Sequence, residues 1–133
     1  MLPSVMRDPR PGLPWSTARV ARREHYGTYM RSPAWLHRRE AWEAAWTSRH
    51  GAAPTCAACG GEWNLSHGDV HHRSYDRLGS EIYEDLIALC RPCHTQLHTL
   101  MDGSPAWRRL PRAQTTDLLV ARIRAAKAKL AEQ

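Results

Sequence analysis

The sequence has no phenylalanine, only two lysines and no long run of apolar residues. A transmembrane helix needs about 20 consecutive apolar residues, so this composition excludes a membrane-spanning protein. Without phenylalanine, six tryptophans and four tyrosines have to supply the aromatic part of a core. The first residues are charged and rich in proline where a secretory signal would be apolar, so we expect a cytoplasmic, intracellular protein. With 133 residues, 42% of them hydrophobic, the chain has the size of one small domain.

Positive charge is carried almost entirely by arginine and is unevenly distributed along the chain. The formal net charge is +6 and the pI is about 9.6. Residues 1–50 hold nine bases and four acids (+5), residues 51–100 three and six (−3), and residues 101–133 seven and three (+4). The acidic centre also contains all four cysteines and five of the eight histidines. Basic flanks around a centre rich in metal ligands are typical of a metal site between two phosphate-binding arms.

The N-terminal half predicts a tail followed by two helices. Residues 1–16 contain four prolines and scattered charge, so we expect a flexible basic tail. A short helix is predicted over residues 17–27, with Gly27 as its end. A second helix is predicted from Pro33 to about Arg49, since Ser32 is a good N-cap and proline suits the first helical position. Core packing, rather than stacking on bases, is the preferred interpretation of the tryptophans on one face of this helix, Trp35, Trp42 and Trp46.

The second half predicts a hairpin and two further helices. Strands are expected over residues 65–72 and 86–89, because both segments are short and apolar or alternating. A helix is predicted to begin near Pro92 and to continue to about residue 101. After a connector over residues 102–112, a basic amphipathic helix is predicted from about Thr116 onward.

The four cysteines form two C-x-x-C pairs separated by thirty residues, and they are Cys56, Cys59, Cys90 and Cys93. One C-x-x-C turn points two sulfurs at the same ion, and tetrahedral Zn²⁺ takes two such pairs. No thioredoxin-like context surrounds either pair, so a redox site is a poor alternative. We therefore expect a structural zinc that leaves no position for a substrate.

The histidines of the centre have no place in that zinc site. His71 and His72 are neighbours on a predicted strand, so their side chains diverge, whereas His94 and His98 share one face of a predicted helix. One strand histidine facing the helix pair can hold a second divalent metal. The other strand histidine then lies near the metal without binding it, which is the position of a general base. A purely structural role, as a surface doublet and an incidental helix pair, is the alternative.

In their order and spacing these residues resemble the HNH endonuclease family, in its four-cysteine subgroup. The resemblance covers about residues 26–100, and it includes the helix that leads into the centre. The matching motifs are Cys56-x-x-Cys59, Val70-His71-His72-Arg73, Glu84-Asp85-Leu86 and Cys90-Arg91-Pro92-Cys93-His94-x-x-x-His98. The resemblance implies an α+β fold with a small ββα-metal core (an HNH or His-Me finger), a structural zinc and flanking helices. It also implies that residues 17–101 form the nuclease domain and that residues 102–133 form a connector and a C-terminal helix.

The resemblance also implies roles for individual residues. His71 and His94 become ligands of a catalytic divalent metal, His72 becomes the general base, and His98 becomes a further ligand or a phosphate contact. The asparagine of the family pattern falls at or beside Asp85, so the chain departs from the pattern here. We expect Asp85 to accept a hydrogen bond from His72 and to orient it. Three arginines near the site in sequence are candidate DNA contacts, with solvated or acid-paired side chains as the alternative; they are Arg73, Arg77 and Arg91.

The activity implied by the resemblance is hydrolysis of DNA phosphodiester bonds, by nicking or by double-strand cutting. Mg²⁺ is the expected catalytic ion, although a histidine-rich site also takes Mn²⁺, Ni²⁺ or Zn²⁺. The expected partner is DNA. So short a chain has little surface for sequence-specific recognition, which is compatible with a protein partner or a homodimer. Two alternatives stay open. One is a zinc-stabilised DNA-binding module without catalysis, and the other is a nuclease subunit of a phage-packaging or defence assembly.

Overall fold

A computed structural model describes residues 15–133, with side chains from Arg22 onward. The chain has an α+β fold, which confirms that fold class, and no helix of the described part could cross a membrane. Most of the expected N-terminal tail, residues 1–14, lies outside the described residues, whereas Trp15 and Ser16 already belong to the first helix. The elements in chain order are α1 (Trp15–Met30), α2 (Pro33–His50), β1 (Gly68–His72), a 3₁₀ turn (Tyr83–Asp85), β2 (Leu86–Cys90), α3 (Arg91–Asp102), α4 (Pro105–Arg108) and α5 (Arg112–Ala131).

Helix α2 confirms the local prediction at both ends. The Ser32 Oγ accepts a hydrogen bond from the Trp35 backbone nitrogen at 3.3 Å, and Pro33 opens the helix. Gly51 ends it in the left-handed conformation, with φ +73°, and donates to the Thr47 carbonyl. The predicted end of α1 at Gly27 was wrong, because the helix passes through this glycine and continues to Met30. A single glycine costs a helix only about 1 kcal/mol relative to alanine, which neighbouring contacts can offset.

Strands β1 and β2 form a two-stranded antiparallel sheet in which Val70 pairs with Ala88 and His72 with Leu86. Strand β1 begins at Gly68, later than expected, because the Asn64 side chain holds the preceding segment in a turn by accepting from the backbone of Ser66 and His67. Gly68 is required at this point, since a Cβ there would lie 2.1 Å from the Trp63 Nε1 atom.

Two hydrophobic clusters lie on opposite faces of this hairpin. The face with Val70 packs against α2, where Trp35 and Trp42 are buried and Trp46 is partly buried, so the core interpretation of these tryptophans is confirmed. The other face packs against α3 and α5, and its buried residues are Cys56, Ala58, Leu89, Cys93, Leu97, Leu119, Val120 and Ile123. Strand alternation thus directs successive β1 residues into two different environments.

Helix α5 begins at Arg112, four residues before the predicted start at Thr116. Pro111 immediately precedes it, and a proline at a helix start is a recognised initiation signal. The extra turn matters because it lies against the end of β1 and not in a connector. Helices α5 and α3 then pack together around Leu97 and Leu119, so the C-terminal helix is part of the same core.

Candidate functional site

The four cysteines converge on one point, as their spacing predicts. Their sulfur atoms all lie within 4.8 Å of one another, and the Cys59 and Cys90 sulfurs are 3.8 Å apart. Cys56 and Cys59 belong to a turn after α2, in which the Gly60 nitrogen donates to the Cys56 carbonyl at 2.8 Å. Cys90 ends β2, and Cys93 lies in the first turn of α3. The cluster therefore links the turn, the sheet and the helix.

Backbone donors favour the thiolate form of Cys56, whereas burial and the neighbouring cysteines raise the pKa of Cys90 and Cys93. Burial opposes ionisation of Cys56, but backbone N–H groups, among them that of Cys59, donate to its sulfur and lower its pKa to about 7. The Gly61 nitrogen donates in the same way to the Cys59 sulfur at 3.4 Å. Thiolates are the form that binds metal, and four of them saturate a tetrahedral ion. The donor set is thus compatible with a structural zinc.

A second convergent group consists of His71 on β1 and of His94 and His98 on α3. The His71 Nδ1 lies 3.3 Å from the His94 Nε2, which in turn lies 3.0 Å from the His98 Nε2. One nitrogen of each ring is therefore directed at the same point, and all three lie within 4.8 Å of one another. Three imidazoles without a fourth protein ligand suit a metal site that keeps positions open. The structure thus brings together the three histidines that the sequence nominated as ligands.

Two further side chains hold these rings from behind. The His71 Nε2 lies 3.0 Å from the Thr116 Oγ1, and the His94 Nδ1 lies 3.0 Å from the Asp69 Oδ2. Such partners fix the tautomer of a ligating histidine and direct its other nitrogen at the metal. Sequence reasoning missed both. Asp69 could have been found from strand alternation, since it precedes His71 by two residues, but nothing local points to a threonine 45 residues away.

The buried position of His71 keeps it in the neutral form that binds metal. Its side chain is 1% exposed. Burial, together with the positive charge of Arg112 and with the neighbouring histidines, lowers the pKa of His71 to about 2. Desolvation disfavours the protonated ring, so the ring has a free lone pair at neutral pH.

His72 points to the other face of β1, into the aromatic cluster. Its Nε2 lies 2.7 Å from the Glu81 Oε2, and the Trp35 indole stacks on its ring at 4.7 Å between centroids. The Tyr29 hydroxyl donates to the other Glu81 oxygen at 2.7 Å. Burial opposes ionisation of Glu81, but these hydrogen bonds from His72 and Tyr29 lower its pKa below the usual range. An ionised carboxylate therefore fixes one edge of the His72 ring.

The prediction that Asp85 accepts a hydrogen bond from His72 was wrong. The Asp85 carboxylate is bound on both oxygens by the Arg77 guanidinium, and it also accepts from the Ile82 backbone nitrogen at 3.1 Å. The 3₁₀ turn directs this side chain into the loop that it closes, away from the imidazole. Glu81 accepts the hydrogen bond from His72 in its place. Its position in the motif, two residues after Gly79, carried no local signal that distinguished it from Asp85.

His72 is 2% exposed, and its second nitrogen is not used by the Glu81 hydrogen bond. No protein atom among the described residues makes a hydrogen bond to its Nδ1. The described residues have two fully buried polar side-chain atoms without a hydrogen-bond partner, the His25 Nε2 and the Trp42 Nε1. The His72 Nδ1 is not one of them, so part of this atom is accessible to solvent. With Glu81 accepting from Nε2–H, Nδ1 carries the lone pair and can accept a proton.

The three arginines considered as DNA contacts are each paired with a carboxylate. Arg73 forms a two-point ion pair with Asp117, at 3.0 and 2.6 Å, and Arg77 binds Asp85. The third, Arg91, lies 3.5 Å from the Asp69 carboxylate. These pairs agree with the acid-paired alternative. A positive charge that is free to bind an anion at the site must therefore come from another residue.

Comparison with known proteins adds nothing to this geometry, since no family model, no curated protein and no solved structure matches the chain. Function therefore has to be inferred from the side chains themselves. The relevant groups are the three-histidine cluster and the His72–Glu81 pair on the other face of β1.

Proposed function

We propose that the protein is a metal-dependent endonuclease of the HNH type, with a ββα-metal core, that hydrolyses phosphodiester bonds in DNA. The observation that carries this proposal is the convergence of the His71 Nδ1, His94 Nε2 and His98 Nε2 atoms. The next residue along β1, His72, supplies an imidazole that is held on one edge and open on the other.

The order of the elements supports the same proposal. An antiparallel hairpin, β1 and β2, leads directly into α3, and ligand candidates lie on β1 and α3. This strand–strand–helix order is the one that the resemblance to HNH endonucleases implies. The four-cysteine cluster joins the turn after α2 to the junction of β2 and α3, so a metal bound there would stabilise the frame that holds the histidines.

His72 is the proposed general base. Its open Nδ1 takes a proton from the water that attacks phosphorus, in line with the leaving 3′ oxygen. The imidazole becomes positively charged in this step, and the Glu81 carboxylate at 2.7 Å stabilises that charge. Stacking on Trp35 restricts the ring to one orientation, which lowers the entropic cost of reaching the reactive geometry.

The proposed holders of the catalytic metal are His71, His94 and His98. A divalent ion bound there would supply electrophilic stabilisation of the negative charge that develops on the phosphate. Imidazole donors suit Zn²⁺ and Ni²⁺ better than Mg²⁺, which prefers oxygen ligands. Mg²⁺ was expected from the sequence, so an assay has to compare all of these ions and Mn²⁺.

A plasmid-nicking assay tests the proposal. Supercoiled DNA is incubated with the wild-type protein, His72→Ala or His37→Ala in each metal and in EDTA. His37 is exposed on α2, outside the site, so its variant is the matched control. Loss of a positioned general base should lower the rate about 10²- to 10⁴-fold. The control should cut like the wild type, and EDTA should abolish cutting.

Two results would contradict the proposal. Cutting that persists unchanged in His72→Ala would remove the general base from the mechanism. A wild-type protein that binds duplex DNA but cuts no substrate with any ion would favour the non-catalytic DNA-binding module.

A further inference from the structure

Arg112, at the start of α5, lies at the site although no local sequence pattern singles it out. Its Nε donates to the His72 carbonyl at 2.8 Å. One turn later on the same helix, the Thr116 Oγ1 lies 3.0 Å from the His71 Nε2. Residues four apart on a helix share a face, so the first turn of α5 lies across the end of β1 that carries both histidines.

The guanidinium of Arg112 is half-buried and has no anionic partner in residues 22–133, whose side chains the structure describes. It lies over the Tyr75 ring, 4.3 Å from the centroid. Among the described residues, no carboxylate pairs with it, and its two terminal nitrogens donate no hydrogen bond to the protein. Arg73, Arg77 and Arg91 differ in this respect, since each binds an aspartate.

The positive charge of Arg112 also acts on the histidine cluster. It contributes to the lowered pKa of both His71 and His98, after burial in each case and, for His98, after the charge of His94. The His72 carbonyl and the Tyr75 ring already hold Arg112 in place, and it has no counter-ion among the described residues. It can therefore bind an anion without a further entropic cost of ordering its side chain.

We propose that Arg112 binds a non-bridging oxygen of the scissile phosphodiester at the three-histidine cluster. This inference depends on the proposed nuclease function for the identity of its substrate. The guanidinium presents its donors as a planar fork that matches two phosphate oxygens, and ammonium groups cannot reproduce that geometry. The contact strengthens as negative charge develops on the phosphate, so Arg112 should act on kcat more than on KM.

The first measurement uses a small diester, bis(p-nitrophenyl) phosphate, which has no flanking phosphates for other basic residues to bind. Arg112→Ala should lower kcat about 100-fold, as loss of one preorganised transition-state donor does. Arg112→Lys keeps the charge but not the fork, and it should recover only part of the rate. Arg109→Ala, an exposed arginine just after α4, removes the same charge outside the site and should match the wild type.

Added guanidinium ion tests whether the loss is structural. Arg112→Ala also removes the hydrogen bond to the His72 carbonyl and can disturb β1. If Arg112 binds phosphate, guanidinium should restore part of the activity of Arg112→Ala and leave Arg109→Ala unchanged. A loss that guanidinium does not restore, together with a lowered melting temperature, would overturn the proposal.

DNA binding without added divalent ion, so that the structural zinc is retained, separates failure of this inference from failure of the nuclease proposal. Fluorescence anisotropy with a short duplex requires no catalysis. One lost phosphate contact should reduce the slope of log K against log salt by about 0.9 for Arg112→Ala. If the wild type binds without cutting but Arg112→Ala shows this change and Arg109→Ala does not, the phosphate contact stands and hydrolysis falls. If the two variants are equal in both assays, Arg112 has no special role.

Discussion

The two convergent clusters differ in how the chain assembles them. Each half of the cysteine cluster comes from one short turn, Cys56–Cys59 or Cys90–Cys93, so local geometry places its ligands in pairs. The histidine cluster takes one ligand from β1 and two from α3, and its supporting side chains come from β1 and α5. The first can form as soon as two turns meet, whereas the second requires the complete tertiary fold.

The same difference separates their chemistry. Four sulfurs saturate a tetrahedral ion, so the cysteine cluster can only hold structure. Three imidazoles leave positions open, and an open position is what a reaction needs. We therefore expect the cysteines to determine stability and the histidines to determine activity.

The largest effect should come from Cys90→Ser. A structural zinc contributes about 10–16 kcal/mol of apparent free energy, as much as the whole stability of a typical domain. The variant should lose its structural zinc and its cooperative thermal transition. Zinc content and melting followed by circular dichroism measure both, and wild-type protein stripped with EDTA and refolded with Zn²⁺ is the control. A zinc-free variant that melts like the wild type would assign the cysteines no structural role.

His94→Ala should have the opposite profile. The side chain is 24% exposed at the start of α3, so its loss should shift the melting temperature by only a few degrees. Loss of a metal ligand should reduce hydrolysis by more than about 100-fold, since even supporting residues are worth 10- to 100-fold. Metal analysis should find one bound ion fewer per chain than in the wild type. Unfolding of this variant would show that the histidine cluster also holds structure.

Local sequence signals account for the parts of the structure that could be predicted. The caps of α2, the tryptophan face and the two cysteine turns depend on residues a few positions apart, and all are present as expected. The doublet His71–His72 on a strand, with a helix pair facing it, also follows from periodicity. These features need no knowledge of how distant segments pack.

The errors that affect the site concern contacts between segments that are separated in sequence. Glu81 and Asp85 both lie in the loop before β2, and only the path of the 3₁₀ turn decides which of them reaches His72. Arg112 and Thr116 were assigned to a connector and to a helix start, and their contacts with β1 follow from the packing of α5 on α3. Neither outcome has a local signature.

Glu81→Gln tests the carboxylate that contacts His72. It keeps the volume of the side chain and removes the charge that stabilises protonated His72, so kcat should fall about 10- to 100-fold with KM unchanged. Glu84→Gln is the matched control, because that carboxylate is exposed and its ion-pair contact with Arg49 is 4.0 Å long. Steady-state kinetics on the small diester distinguishes the two variants. Equal rates for both would leave the His72 ring without a charged partner in catalysis.

Asp85→Asn should have the smallest effect. It should lower the free energy of unfolding and leave activity unchanged. Burial opposes ionisation of Asp85, but the hydrogen bonds from Arg77 and from the Ile82 nitrogen lower its pKa below the usual range. A depressed carboxyl pKa contributes stability above the unfolded-state value and loses it as the pH falls through the folded-state value. Urea denaturation should therefore show a loss of about 1–3 kcal/mol that is constant from pH 8 to 5 and narrows near pH 4.

The control for this smallest effect is Asp76→Asn, an exposed carboxylate of the same loop, which should leave the free energy of unfolding unchanged at every pH. If Asp85→Asn instead lost hydrolysis and kept its stability, the orienting role would return to Asp85, as the sequence first indicated. The two carboxylates thus test, at nearby positions, whether stability and activity depend on different residues. They lie four residues apart in one loop, yet only Glu81 contacts the imidazole of the proposed general base.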